Sequence, residues 1–215
     1  MNKRVHTPHR DAMSHSSPPH AVIIAGPNGA GKSTLAPRLL MHEFGVYTFV
    51  NADIVAQGLA AFDPASAAME GGRVIHRWIA ELRVARADFA FETTLAGLGL
   101  RRQITELRDA GYVVHLVYLW LSSADAAVER VHGRVRIGGH SVPEADVRRR
   151  YQRGPRNFLH VYRQMASEWR VYDVTVRPGR SPRPFAAGAG DTMHFIRDAA
   201  AWVALQSAAS QEEVP

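Results

Sequence analysis

An α/β fold, with a mostly parallel sheet layered between helices on both faces, is predicted by three features of this 215-residue chain. Short apolar runs alternate with longer stretches whose apolar residues recur at helical spacing. The first run, Ala21-Val22-Ile23-Ile24-Ala25, is apolar throughout, as suits a parallel strand covered on both sides. It feeds a glycine-rich turn and then a helical pattern, which is the start of a βα unit.

The other elements follow in order. The first helix is expected to run to about residue 42, with Leu35 and Leu39 on one face and Pro37 as a source of bending. Residues 46–50 read as a second strand and 54–60 as a short helix. Asp63-Pro64 is a helix start, and Val74, Ile75, Trp78, Ile79 and Leu82 carry that helix to about residue 86. Residues 88–91 form a third strand. Leu100, Ile104 and Leu107 mark a helix that Gly111 closes. Residues 112–121 are the longest β-branched and aromatic run and so the expected central strand. Ser122 with Asp125 opens a helix in the manner of a capping box, continued by Val128, Val131 and Val135. Gly138-Gly139 interrupts the pattern and Pro143-Glu144 restarts a helix. A separate helix is expected over 156–166, a last strand over 169–176, and a closing helix over 192–205. The reading is one domain over residues 20–207, with disordered tails at 1–19 and 208–215.

Composition narrows the function. With 46% hydrophobic residues the chain can build one sizeable core, and with no cysteine it holds no disulfide framework. No apolar run reaches the roughly 20 residues that cross a bilayer. The first 20 residues carry four histidines and three prolines without an apolar stretch, so no secretory signal is expected and the protein reads as cytoplasmic. The net charge of +6 is local: residues 130–156 hold eight arginines against Glu144 and Asp146, and 8 − 2 = 6. Of the two lysines, Lys3 lies in the expected tail, which leaves Lys32 alone in the folded body. Where arginine otherwise replaces lysine, a lone ammonium points to a position that requires one.

That position lies in a phosphate-binding loop. Gly26-Pro27-Asn28-Gly29-Ala30-Gly31-Lys32-Ser33 matches G-x-x-x-x-G-K-[ST] between a strand and a helix. The glycines let successive N–H groups turn into one concave nest around a phosphate, and the following helix adds its positive end. Lys32 is placed for the β/γ-phosphates and the Ser33 hydroxyl for Mg2+, with Thr34 beside it. The fold class thus sharpens to a P-loop NTPase three-layer sandwich, and the ligands to ATP or GTP with Mg2+.

A motor or switch of this class wants a second acid at a strand end, and 112–121 ends in Trp120-Leu121-Ser122. Acids follow the second strand (Asp53) and the third (Glu92) instead. Asp53 is either a base that takes a proton from a substrate hydroxyl or an N-cap for the short helix. Glu92, with Thr94 beside it, binds substrate, assists Mg2+, or faces water. Segment 130–156 is a solvated face, a nucleic-acid patch, or a lid hinged at Gly138-Gly139 that brings arginines onto the transferring phosphoryl group. Its single aromatic, Tyr151, is too few for stacking on nucleic acid, so the lid is favoured. Arg134 and Arg136 precede the hinge and Arg149 and Arg150 follow it; one from each side, Arg134 and Arg150, is the assignment.

These blocks resemble, in order, the zeta-toxin-like P-loop kinases. The resemblance rests on Gly26 through Thr34, on Asn51-Ala52-Asp53, and on Phe91-Glu92-Thr93-Thr94-Leu95. It continues from Arg134 through Gly138-Gly139-His140-Ser141-Val142-Pro143 to Arg149-Arg150-Tyr151, so that about residues 21–175 are covered. The resemblance implies phosphorylation of a nucleotide sugar such as UDP-N-acetylglucosamine. It gives Asp53 the role of general base, Glu92 and Thr94 that of substrate contacts, and the lid arginines that of charge stabilisers. It also implies a small antitoxin as partner. The stretch after Asp173-Val174-Thr175 departs from the family pattern near the nucleotide base and leaves ATP or GTP open. An antibiotic-type small-molecule phosphotransferase and a nucleic-acid-responsive switch remain the alternatives.

Overall fold

The structure, a computed structural model, describes residues 17–61, 66–139, 141–175 and 183–210. Residues 1–16 of the expected 1–19 tail, residues 62–65 with the Asp63-Pro64 helix start, His140, residues 176–182 and residues 211–215 of the second tail lie outside the described residues. Among the described residues, seven strands form one sheet in the order β2-β3-β1-β4-β5-β6-β7. They are β1 (His20–Ala25), β2 (Phe49–Val50), β3 (Phe89–Thr93), β4 (Val113–Trp120), β5 (Glu168–Asp173), β6 (Pro184–Ala189) and β7 (Thr192–Ile196). The first five are parallel, and β6 and β7 add antiparallel at the edge. Every residue of β1 from Ala21 to Ala25 is fully buried, so helices cover both faces of the sheet there. Removing one such side chain, as in Ile23→Ala, costs about 2–5 kcal/mol.

The helices are α1 (Lys32–Leu39), α2 (Ala52–Leu59), α3 (Ala68–Val84), α4 (Leu100–Asp109), α5 (Ala124–Arg136), α6 (Glu144–Asn157), α7 (Arg163–Met165) and α8 (Ala199–Ser210). Both helices that contain a proline end in the same way. Pro37 in α1 is followed by a π-turn at Leu40–Phe44, and Pro155 in α6 by one at Phe158–Tyr162. A proline ring crowds the preceding turn and donates no N–H, and a wider turn beyond it relieves both. Because the second π-turn leads straight into α7, the two helices expected over 143–150 and 156–166 are one continuous rod.

Local chemistry moves other boundaries. Ser123, not Ser122, caps α5, its hydroxyl accepting the Ala126 N–H at 3.1 Å. The strand expected over 46–50 pairs only at Phe49 and Val50. The helix expected over 192–205 is a strand, β7, followed by α8, which runs on to Ser210 and takes up the start of the expected tail. β6 and β7 join through Gly190-Asp191, with Gly190 at φ 54°, the left-handed opening that a two-residue hairpin uses. The hairpin tip is anchored by Trp169 Nε1 donating to the Gly190 carbonyl at 2.9 Å and by Gln164 donating to Asp191 at 3.1 Å. No helix among the described residues is long and apolar enough to cross a membrane.

Candidate active site

The strand register brings the site together. Ile24 lies level with Glu92, Ala25 with Thr93 and Tyr118, and Val50 with Phe91. The residues that follow β1, β2 and β3 therefore emerge at one carboxyl edge, where open α/β sheets bind ligands. The phosphate loop leaves β1 with Gly26, Gly29 and Gly31 all at positive φ, and the Ala30 N–H closes a turn onto the Pro27 carbonyl at 3.2 Å. Gly26 lies hard against β4: a side chain there would meet the Leu119 carbonyl at 2.5 Å.

Lys32 is buried at the start of α1. Its ammonium donates to the Gly26 carbonyl at 3.0 Å and the Pro27 carbonyl at 3.1 Å. Burial pushes its pKa below the usual lysine range. Glu92 and then Asp53 pull it back up, and Arg134 and Arg150 push it down again. Two carboxylates and two guanidinium groups thus make up the charged surroundings of this ammonium. Arg150 is placed by α6, from which it donates to the Asn28 side-chain carbonyl of the phosphate loop at 3.3 Å. Arg149 turns outward to pair with Asp146 at 2.7 Å.

Ser33 and Glu92 meet directly, the hydroxyl donating to the Glu92 carboxylate at 2.8 Å. The acid absent from the end of β4 thus has a counterpart at the end of β3, on the other side of β1. Asn51 joins them, donating to the Ser33 hydroxyl at 3.3 Å. Its side-chain carbonyl also accepts the N–H groups of Asp53 at 2.9 Å and Ile54 at 3.1 Å. Asn51 is therefore the N-cap of α2, and Asp53 lies within the first turn, exposed and released from capping. Sequence assigns Asn51 no role, although a cap-type residue two positions before the acid is a signal for it. Thr34 is exposed on α1, and Thr94 lies in the loop after β3, where its hydroxyl accepts the Ala96 N–H at 3.5 Å.

The arginine segment is built into the body. α6 buries Val147, Tyr151 and Pro155, and the Tyr151 hydroxyl donates to the Leu121 carbonyl at 2.9 Å. Burial pushes that phenol far above the usual tyrosine range, so it is a neutral core group rather than a stacking platform. Gly138 and Gly139 end α5, their N–H groups bonding the Val135 and Arg134 carbonyls at 3.0 Å each. Arg130, also outside the predicted set, donates to the Val174 carbonyl at 2.6 Å and the Thr175 carbonyl at 2.7 Å, tying α5 to the end of β5.

A Haemophilus influenzae relative, itself an uncharacterized protein, is 28% identical over 135 residues, which are 61% of this chain and 91% of the relative. A chain of the PezAT chromosomal toxin–antitoxin system of Streptococcus pneumoniae shares the fold at a TM-score of 0.60 and 14% identity, over 80% of this chain and 74% of its own. The AvrRxo1-ORF1:AvrRxo1-ORF2 complex, solved with sulphate ions and with ATP, matches at a TM-score of 0.71 and 17% identity. That match covers 93% of this chain and 66% of the other. These likenesses establish the fold of a P-loop NTPase sandwich. The family model of the AAA domain matches residues 22–154, from β1 through the arginine of α6 that touches the phosphate loop, and by it the chain belongs to the AAA domain family.

Proposed function

We propose that the protein transfers the γ-phosphoryl group of ATP or GTP to a hydroxyl of a nucleotide sugar of the UDP-N-acetylglucosamine type. The observation that carries the reading is the meeting of Ser33 with Glu92 and of Arg150 with Asn28 around the phosphate loop that holds Lys32, with Asp53 exposed at the same sheet edge. A binding loop needs the cation alone; transfer also needs a base and countercharge for the moving phosphoryl group. In the step itself the acceptor hydroxyl gives its proton to the Asp53 carboxylate as its oxygen bonds to the γ-phosphorus. The bond from that phosphorus to the bridging oxygen breaks, and the diphosphate leaves with the electron pair. Lys32, Arg134 and Arg150 hold the charge that spreads over the transferring oxygens.

The donor set around Ser33 suits a hard divalent cation. The hydroxyl lies 2.8 Å from the Glu92 carboxylate, and both are hard oxygen ligands. No cluster of three or more His, Cys, Asp or Glu among the described residues would hold a metal by itself. Mg2+ fits here as a partner of the nucleotide phosphates, with Ser33 as protein ligand and Glu92 behind it. When bound it would neutralise phosphate charge. Thr94 is assigned to the acceptor side of the same site. A small antitoxin partner is part of this reading, by fold analogy with the PezAT system and the AvrRxo1-ORF1:AvrRxo1-ORF2 assembly.

Incubation with ATP or GTP labelled at the γ-phosphate and a panel of UDP-sugars should give one labelled sugar nucleotide. Label on an aminoglycoside panel instead would move the reading to a small-molecule phosphotransferase, and label on neither would end it. Asp53→Ala should lower transfer by about 10²–10⁴-fold with nucleotide affinity within about twofold. Because Asn51 does the capping, its melting temperature should hold. Loss of nucleotide binding in that variant would remove Asp53 as the base.

A further inference from the structure

The loop between β3 and α4, residues 94–99, follows Glu92 and carries Thr94, and its conformation is unusual. Leu95 sits in the left-handed region at φ 55° with its side chain 1% exposed. A buried leucine occupies that region only where the surroundings over-determine it. Locally the Thr93 hydroxyl accepts the Leu95 N–H at 3.1 Å. The remaining restraints come from far along the chain. Asn157 donates to the Leu95 carbonyl at 2.7 Å, and the Tyr162 hydroxyl donates to the Gly97 carbonyl at 2.6 Å. Between them and Arg150, the backbone of α6 at Gly154 crosses against the Thr94 carbonyl and the buried Tyr118 hydroxyl.

Arg150, Asn157 and Tyr162 lie on one uninterrupted rod, α6 and its π-turn. Its front end touches the phosphate loop through Asn28, and its rear end holds the loop behind Glu92. From Arg150 to Tyr162 the rod spans about 18 Å at the helical rise. The π-turn ends on Tyr162, whose hydroxyl reaches Gly97, and such turns recur at functional sites. We propose that Asn157 and Tyr162 are positioning residues: through the α6 rod they fix the 94–99 loop on the acceptor side to the same arginine that engages the nucleotide on the donor side. Nucleotide held by Arg150 then steadies the loop that carries Thr94 and sets Glu92. This rests on the phosphoryl-transfer reading for the loop's use, but the mechanical link can be measured without any acceptor.

The test is hydrogen exchange across residues 95–100 with and without AMP-PNP or GMP-PNP plus Mg2+, in the full chain. In the wild type the analogue that binds should slow exchange in this segment by about tenfold or more. Asn157→Leu should keep nucleotide affinity within about twofold and lose that protection, and Tyr162→Phe, which removes only a hydroxyl, should lose part of it. If Asn157→Leu fails to fold, Tyr162→Phe decides alone. With a UDP-sugar acceptor, Asn157→Leu should raise the acceptor KM about tenfold and leave the nucleotide KM within about twofold. Full protection retained in the folded variants, or no protection by bound nucleotide in the wild type, would overturn the proposal. Failure of both analogues to bind would instead remove the transfer reading beneath it.

Discussion

The two sides of the proposed site are assembled over different distances in sequence. On the donor side, Lys32 reaches carbonyls five and six residues back, and three glycines of one loop set the backbone. On the acceptor side, the loop after β3 is held by residues 62 and 65 positions away. The backbone of the phosphate loop is thus specified by chemistry local to one turn, with Arg150 reaching it from α6, whereas the acceptor-side loop is held by tertiary packing alone beyond its Thr93 hydroxyl. A substitution on the donor side should act on chemistry with the fold intact. One on the acceptor side should act through the geometry of a loop that its own sequence does not favour.

Lys32→Met gives the sharpest break between chemistry and fold. Transfer should fall by about 10²–10³-fold or more, since a buried cation aimed at the phosphates is lost. Stability should behave differently. Burial holds the folded-state pKa of Lys32 below its ordinary 10.5, so the unfolded chain binds this proton more tightly. The fold is therefore penalised at neutral and acid pH, and the penalty fades as pH rises to the ordinary value. The variant should melt no lower than the wild type at pH 7, with its relative advantage shrinking toward alkaline pH. Thermal melts over a pH series check this, and a clear loss of stability at pH 7 would show that the bonds to Gly26 and Pro27 outweigh the burial of charge.

A smaller effect separates two adjacent glycines. Gly138 has φ 87° with open space around it, whereas a side chain on Gly139 would lie 2.4 Å from Cγ of Arg134. Gly138→Ala should cost about 1–2 kcal/mol of stability through backbone strain and leave kcat nearly unchanged. Gly139→Ala should displace Arg134 and lower kcat by about tenfold or more while the helix stays capped. Equal kinetic effects from the two would favour a hinge that uses both residues over a spacer that clears room for one arginine.

The same division explains what could be read from sequence. The phosphate loop, Asp53 and Glu92 each stand at a strand end marked by a short local pattern, and each emerges at the carboxyl edge. The two arginines that act on Lys32 flank the glycine pair, so their segment was visible, although spacing alone left four candidates. Asn51 was hidden behind Asp53: both residue types cap helices, and only the hydrogen bonds separate the cap from the free acid. The β6–β7 hairpin was legible and missed, because Gly190-Asp191 is a two-residue turn signal set in a stretch that reads as loop. Asn157 and Tyr162 carried no local signal, since their partners are loop carbonyls, which any residue could offer.

The smallest effect is expected at the opposite edge of the sheet, which serves neither side. There His115 at the start of β4 stacks on His20 of β1 with ring centroids 5.1 Å apart, their nitrogens 2.9 Å from each other. The Glu168 carboxylate of β5 lies 3.4 Å from the other ring nitrogen, Phe44 packs against the ring at 5.1 Å, and Arg170 lies over Phe44 at 5.0 Å. Burial pushes the pKa of His115 below the usual histidine range; Glu168 opposes this, and His20 and Arg170 add to it. With the folded-state value depressed, the stability from neutral His115 is full above the ordinary value of 6.5 and is lost as pH falls through the folded-state value. His115→Asn should flatten that acid limb by about 2–4 °C in melting temperature between neutral pH and pH 5, with transfer at neutral pH unaltered. A change in kcat in this variant would mean that the strand ends are mechanically linked across the sheet, and the site could then no longer be divided into two sides that answer separately to mutation.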